Sequence, residues 1–469
     1  MEDALHQLLS FPSPSVTAHE TYETHARDFI ASTREVLANA FDGSDKFYSL
    51  LDHVDPSTHS LSYLLLLNFL ILETKRKSPK AAFDDLRAGR QLLPRTLTFL
   101  NTFDPSQISY AANEYRNILG FILKVAEMEN KPFVAVRPIK NAIFKLDPAS
   151  STLTIAHVYL ARMSLLARAY KLARPVLDQT IFAIPSAADQ LTYTDHMKYF
   201  LYGGMIYMAL KEWSKARHFL SIVISSPVIN SISRIMVEAY KKWVLVNLLE
   251  NGTTASPPKV TSPLALKVFK ALARPYDALA TAFISGKWEK LRDEAEFGQT
   301  IWRTDKNNGL VQQVLIHFRR QAVRGLGSTF AAVTTTDVSE RALSNTMDVL
   351  ETERFIVALA IQEGFATSLI HPSKDSKASM LRFLTDRMEP SIDIEVSLEE
   401  QLRLQHQKLE HLARSVQASD RKLEFSKEYV NYLRKTQKRN DATSKDGGFV
   451  GRPKDQNIDI DEDMMDDLQ

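Results

Sequence analysis

The stretch "YFLYGGMIYMALKEWSKARHFL", residues 199–220, decides the fold. It reads as helix, yet Gly203 and Gly204 sit side by side within it. Each glycine costs about 1 kcal/mol relative to alanine in a helix interior, so the pair needs a reason. The tetratricopeptide pattern supplies one. It has a small residue in the first helix of a pair, an aromatic at the turn, an alanine early in the second helix and a proline at the end. With Gly204 as the small residue, Tyr207 falls at the expected aromatic of the first helix. Trp213 then marks the turn, Ala216 is the small residue of the second helix and Pro227 closes the unit. Gly204 is expected to let the second helix approach the first closely enough for packing to offset the propensity loss. Gly203 has no template position and is expected to do the same toward a neighbouring repeat.

The register recurs upstream, where Leu160 and Ala161 precede Tyr170, Ala173, Leu177 and Pro185. The turn motifs "RAYKLA" (168–173) and "KEWSKA" (211–216) match, and a third, "GKWEKL" (286–291), puts Trp288 in the aromatic place. A fainter copy has Leu123, Phe133, Val136 and Pro148. The closing prolines are irregularly spaced, so helices or loops exceed the standard repeat. A helix pair cannot bury its apolar face alone, and stacked pairs make one continuous core with an extended surface. The chain is thus expected to be predominantly all-α. A TPR-like helical-repeat solenoid over 60–320 follows an N-terminal helical segment, 1–59.

Composition agrees. The 469 residues are 44% hydrophobic and 24% charged with only 15 Gly, an ordinary globular balance. A net charge of +2 gives no global field for nucleic acid or membrane. The absence of cysteine removes disulfides, thiolate metal sites and cysteine nucleophiles together and fits a reducing compartment. The start, "MEDALHQLLSFPSPS", lacks a basic segment before a long apolar run, so no targeting signal is expected. The most apolar run, 61–73, is shorter than the roughly 20 residues a bilayer requires and reads as a buried helix.

After Arg320 the texture changes. "STFAAVTTTDVSERALS" offers Thr335 or Thr336 as the cap of a short helix, and a second helix is expected over about 345–362, ending at Gly364. Two β-like runs, "FATSLIHP" and "ASMLRFL", follow around a polar link. Helix, turn, helix and hairpin is the order of a winged helix, placed at 321–390. A long helix is expected over 397–437, within a segment 391–437. Leu402, Leu409, Val416, Leu423 and Val430 recur every seven residues along it. Leu398, Leu412 and Leu433 flank them, but Gln405, Ser419 and Ser426 interrupt that second row. The seam fits either a stripe on a helix bundle or half of a coiled coil. The acidic, polar segment 438–469 is expected to be disordered.

No catalytic set emerges. Walker A, G-x-S-x-G and H-E-x-x-H are absent, and "GLGSTF" (325–330) has Phe330 where a phosphate loop needs its third glycine. His406 and His411 lie five apart, which on a helix turns their imidazoles away from one another, so they cannot share a metal. No cofactor, metal or catalytic residue is expected. The two helices of the winged-helix segment carry Asp337, Glu340, Asp348, Glu351, Glu353 and Glu363 against Arg341 and Arg354. That face repels phosphates, so the segment is expected to bind protein rather than nucleic acid.

A helical solenoid running into a winged helix resembles the plan of PCI-domain subunits of the proteasome lid, the COP9 signalosome and translation initiation factor three. Three segments, "YGGMIYMALKEWSKA" (202–216), "EAYKKWVLVNLL" (238–249) and "DKNNGLVQQ" (305–313), closely resemble those of one signalosome subunit. The resemblance covers about residues 110–384, and the long tail reads as an addition of one, fungal, lineage. It implies a non-catalytic scaffold subunit of an assembly that removes a ubiquitin-like modifier from cullins, where a sister subunit carries the zinc-binding H-x-H motif missing here. The implied partners are other signalosome subunits, met through the winged helix and the C-terminal helix, and cullin-RING ligases met through the complex. Neither nucleic acid nor membrane is implied, and the implied location is cytoplasm and nucleus. A lid subunit of the proteasome, or an mRNA-export subunit binding nucleic acid, are the alternatives.

Overall fold

A computed structural model describes residues 6, 8–11, 19–39, 44–77, 86–148, 151–181, 191–228, 232–342, 348–363, 367–370, 379–383, 392–424, 429–431 and 434. The predominantly helical architecture expected is the one observed. Ala112–Met128 leads into Phe133–Leu146, Ile155–Leu166 into Tyr170–Leu177, Tyr193–Leu210 into Trp213–Ile224 and Arg274–Ile284 into Trp288–Phe297. The four turn aromatics Phe133, Tyr170, Trp213 and Trp288 are each the first residue of a helix.

The turns share one geometry. Asn130, Arg168, Lys211 and Lys306 have φ of 57°, 53°, 61° and 57°, and Gly286 has 70°. A left-handed residue of this kind ends a helix and turns the chain's orphan carbonyls inward. The next N–H reaches back over the turn: Lys131 to the Ala126 carbonyl (3.0 Å), Ala169 to Ser164 (2.9 Å), Glu212 to Tyr207 (3.0 Å) and Asn307 to Trp302 (2.8 Å). The last turn lies in "DKNNG", which has no aromatic to mark it. Thr192 caps the glycine-bearing helix reciprocally with Asp195.

One apolar cluster runs from Leu8 and Phe11 to Val314 and Phe318. The N-terminal helices His19–Asn39 and Ser44–His53 contribute Ala26, Phe29, Leu50 and Leu51 to it, so no core boundary falls near residue 60. A second cluster starts at Val323, five residues after Phe318 in the same Asn308–Thr329 helix. The boundary expected after Arg320 therefore falls inside a helix that serves both cores.

The second cluster holds a small α/β module. Strands β1 (Ala332–Thr334), β2 (Thr367–Ile370) and β3 (Met380–Phe383) pair antiparallel in the order β1–β3–β2. The expected hairpin is β2 and β3. Strand β1 was not foreseen, because "AAVTT" is too short to show alternation. Leu381 and Phe383 point into the cluster with Val333, Val338, Ile356 and Leu359. The first helix, Thr335–Ala342, is capped by Thr334, one residue before the expected cap, with Asp337 N–H donating to the Thr334 hydroxyl at 3.2 Å. The second helix is Val349–Glu363. Pro185, Gly364, the link 371–378 and the tail 438–469 lie outside the described residues.

The chain divides into two units, Met1–Asp386 and Arg387–Gln469. The described part of the second is the helix Ile392–Glu424, which starts earlier than the expected residue 397, with further helical residues at 429–431 and 434.

Candidate interaction surfaces

The repeat joints position everything else. Ala161, Ala173, Gly204, Tyr207 and Ala216 are fully buried, Trp288 nearly so, and Tyr170 and Trp213 half-buried against the same core. Gly204 faces the second helix of its own pair: a β-carbon there would lie 3.1 Å from Leu220 and 3.6 Å from the Ala216 carbonyl. Gly203 is tighter. A β-carbon on it would lie 2.6 Å from the Phe219 ring and 3.2 Å from Leu177 of the preceding pair. The two glycines thus let one helix touch its own partner and the previous repeat, and the helix runs unbroken through them.

A polar staple crosses the same joint. The Tyr207 hydroxyl donates to Asp178 Oδ1 at 2.9 Å, and Lys215 Nζ donates to the same oxygen at 2.7 Å. Burial alone would raise the Asp178 pKa, but hydrogen bonds from Lys215 and Tyr207 outweigh it and hold the carboxyl below its ordinary value. Burial, then Asp178 itself, pushes the Tyr207 hydroxyl up, so the tyrosine donates as a neutral group. The arrangement recurs further on. Tyr276 donates to Asp305 Oδ2 at 2.8 Å, Lys241 Nζ meets the same oxygen at 2.7 Å, and Asn307 Nδ2 donates to the tyrosine oxygen at 2.8 Å. Each lysine also lies over its tyrosine ring, at 5.3 Å and 5.7 Å. Sequence reading missed both staples, because Asp178 precedes its tyrosine whereas Asp305 follows its own. Their members fall largely within the segments 202–216, 238–249 and 305–313, which gives those segments a structural role.

Two apolar surfaces are exposed. On Val349–Glu363, Leu350, Val357 and Ile361 form one stripe, with Ile361 79% exposed. On the sheet, exposed Ile370 stands opposite exposed Met380 in register, on the face away from Leu381 and Phe383. Glu340 on the first helix, Glu351 on the second and Asp348 just before the second are exposed as well. On the Ile392–Glu424 helix, Leu402, Leu409, Leu412 and Val416 are exposed, Leu409 at 65%. Val430, among the further helical residues, is exposed too. The side chain of Leu423 lies outside the described residues.

Among the described residues no three His, Asp or Glu side chains come together as a metal site. His406 Nε2 instead lies 3.4 Å from Glu410 on its own helix. The buried His157 closes a cap, accepting the Thr154 N–H at 3.2 Å. No helix of the described residues is long and apolar enough to cross a membrane.

A family model described as COP9 signalosome complex subunit 3, N-terminal helical repeats, matches residues 21–265. A protein of Emericella nidulans named COP9 signalosome complex subunit 3 is 34% identical over 498 aligned positions, covering 100% of both chains. An Arabidopsis thaliana protein of the same name is 30% identical over 341, covering 72% of this chain and 74% of its own.

Proposed function

The chain belongs to the COP9 signalosome subunit 3 family, and from that premise we propose that it is a non-catalytic scaffold subunit of the signalosome. In this reading it supports removal of the ubiquitin-like modifier from cullins and so regulates cullin-RING ligases, in cytoplasm and nucleus. The observation that carries the scaffold role is the exposed row Leu402, Leu409, Leu412 and Val416. A helix that keeps an apolar row on its surface is built to be covered by another helix. The strand–helix–helix–hairpin module is the winged-helix half of a PCI domain. Its stripe of Leu350, Val357 and Ile361 and its exposed carboxylates suit a protein neighbour and oppose a phosphate backbone. Chemistry is left to a sister subunit. Affinity purification of the tagged full chain followed by mass spectrometry tests this. Signalosome subunits and cullins are expected; recovery of proteasome subunits in their place rejects the assignment.

A further inference from the structure

Between the Arg234–Asn251 and Pro263–Leu272 helices runs the segment "GTTASPPKVTS", residues 252–262. Residues 254–258 belong to no helix or strand. The segment is tied down at both ends. Gly252 takes φ 65° to end its helix, and a β-carbon on it would lie 2.5 Å from the Gln321 amide. Ala255 packs against the solenoid core beside Trp243 and Asn247. At the far end, buried Thr261 donates its N–H to the Pro258 carbonyl at 3.0 Å, and its hydroxyl lies 3.4 Å from that of Ser225. Pro263 then starts the next helix. Between these anchors Ser256 and Lys259 are exposed, and Val260 is 82% exposed.

The presented residues read Ser256-Pro257-Pro258-Lys259. Pro257 biases Ser256 away from the helical region toward extended backbone, the form in which a protein kinase holds its substrate around the acceptor hydroxyl. Pro257 also has no N–H to donate, which suits a kinase pocket that takes the proline ring and disfavours one that needs that donor. Ser-Pro occurs again at Ser13, Ser78, Ser226 and Ser262, but none of these has a basic residue three positions on. Ser226 is buried, and Ser262 is half-buried directly before a helix. Ser256 joins the exposed hydroxyl, the following proline and the cation.

We propose that Ser256 is a phosphorylation site for a proline-directed protein kinase, with Pro257 in the pocket beside the acceptor and Lys259 against an acidic group of the enzyme. The Ser256 Oγ attacks the γ-phosphorus of a nucleoside triphosphate and forms the new O–P bond. The bond from that phosphorus to the β–γ bridging oxygen breaks, the nucleoside diphosphate leaves with the electron pair, and the serine proton passes to the kinase's carboxylate base. The product carries about −1.5 to −2 charge on a segment outside the helices, so the fold is kept. The site rests on this segment alone and stands apart from the signalosome assignment.

The test incubates the full-length chain with ATP, Mg²⁺ and a purified cyclin-dependent kinase, and locates phosphate by peptide mass spectrometry. The same mapping is made on the chain isolated from dividing cells with phosphatases inhibited. Ser256 should carry phosphate in both, and in vitro it should react faster than any other Ser-Pro serine. Ser256→Ala should abolish this phosphate, and Pro257→Ala and Lys259→Ala should each slow its transfer several-fold. Ser262→Ala should react at Ser256 as wild type does. A kinase that selects arginine before the acceptor should leave Ser256 unmodified, and the phosphorylated chain should melt where the unmodified one does. No phosphate at Ser256 in either preparation, equal rates in Pro257→Ala and wild type, or transfer only after the chain is thermally unfolded overturns the proposal.

Discussion

At Gly203, a single added carbon separates a helix that fits its neighbours from one that does not. The Phe219 ring it would strike is held by Tyr199, Phe200 and Tyr207, with centroids 6.2, 5.3 and 5.1 Å away, so it has no free direction to retreat. Gly203→Ala is expected to cost about 1–3 kcal/mol in a denaturant titration, although alanine favours helix. Gly204→Ala, facing the smaller crowding at Leu220, should cost clearly less, and Gly204→Leu should again destabilise. An equal or reversed order would contradict the packing described. His157 gives a pH signature. Burial pushes its pKa down to about 4 from the ordinary 6.5, with Asp147 and the Thr154 backbone opposing the shift only in part. The unfolded chain then takes up the proton more readily than the folded one. Stability is complete above the unfolded value and is lost as pH falls from about 6.5 toward 4, on the order of 2 kcal/mol by about pH 5. His157→Gln keeps an acceptor for the cap without the titration, so its melting temperature should fall less between pH 7 and 5. Parallel pH profiles would exclude His157 as the source.

Helix pairs were legible in the sequence because an aromatic opens each second helix. Their joints were only half legible. Gly204 showed itself by breaking helix propensity, but Arg168, Lys211 and Lys306 occupy the left-handed turn position with ordinary side chains, and only Asn130 and Gly286 are residue types that advertise it. The staple of Tyr207, Asp178 and Lys215 has no fixed order along the chain. Asp178→Ala should leave a buried hydroxyl short of its acceptor and cost about 1–3 kcal/mol. Tyr207→Phe should cost nearer 1, because Lys215 still satisfies the carboxylate. The Ile392–Glu424 helix makes a contrasting case, since its leucines matter by remaining exposed. Leu409→Asp/Val416→Asp should leave circular dichroism and melting unchanged, because an exposed carboxylate costs little. It should weaken co-purification of partner subunits, where the same carboxylate must be buried. Retention of partners by a folded double variant would remove the helix from assembly.

Across the whole molecule, the distribution of apolar residues explains why no core boundary falls near residue 60 and why the one near Arg320 falls inside a helix. Phe29 and Leu50 pack into the same cluster as the repeats, so the N-terminal helices are continuous with the solenoid. Phe318 and Val323 place two cores on one helix, which a change of texture after Arg320 registered only as a break. Strand β1 is three residues long and gains its identity from pairing with β3, information that no local pattern carries. The proposed assembly role rests on a core spent on holding repeats together and on an apolar helix row left exposed. The most direct measurement of that claim is cleavage of a modified cullin by three preparations: the isolated chain with added zinc, the reconstituted signalosome, and the same reconstitution with this chain left out. The account predicts no cleavage by the isolated chain, cleavage by the full complex, and an incomplete, poorly active assembly when the chain is missing. Cleavage by the isolated chain, or an unimpaired complex formed without it, would contradict the account.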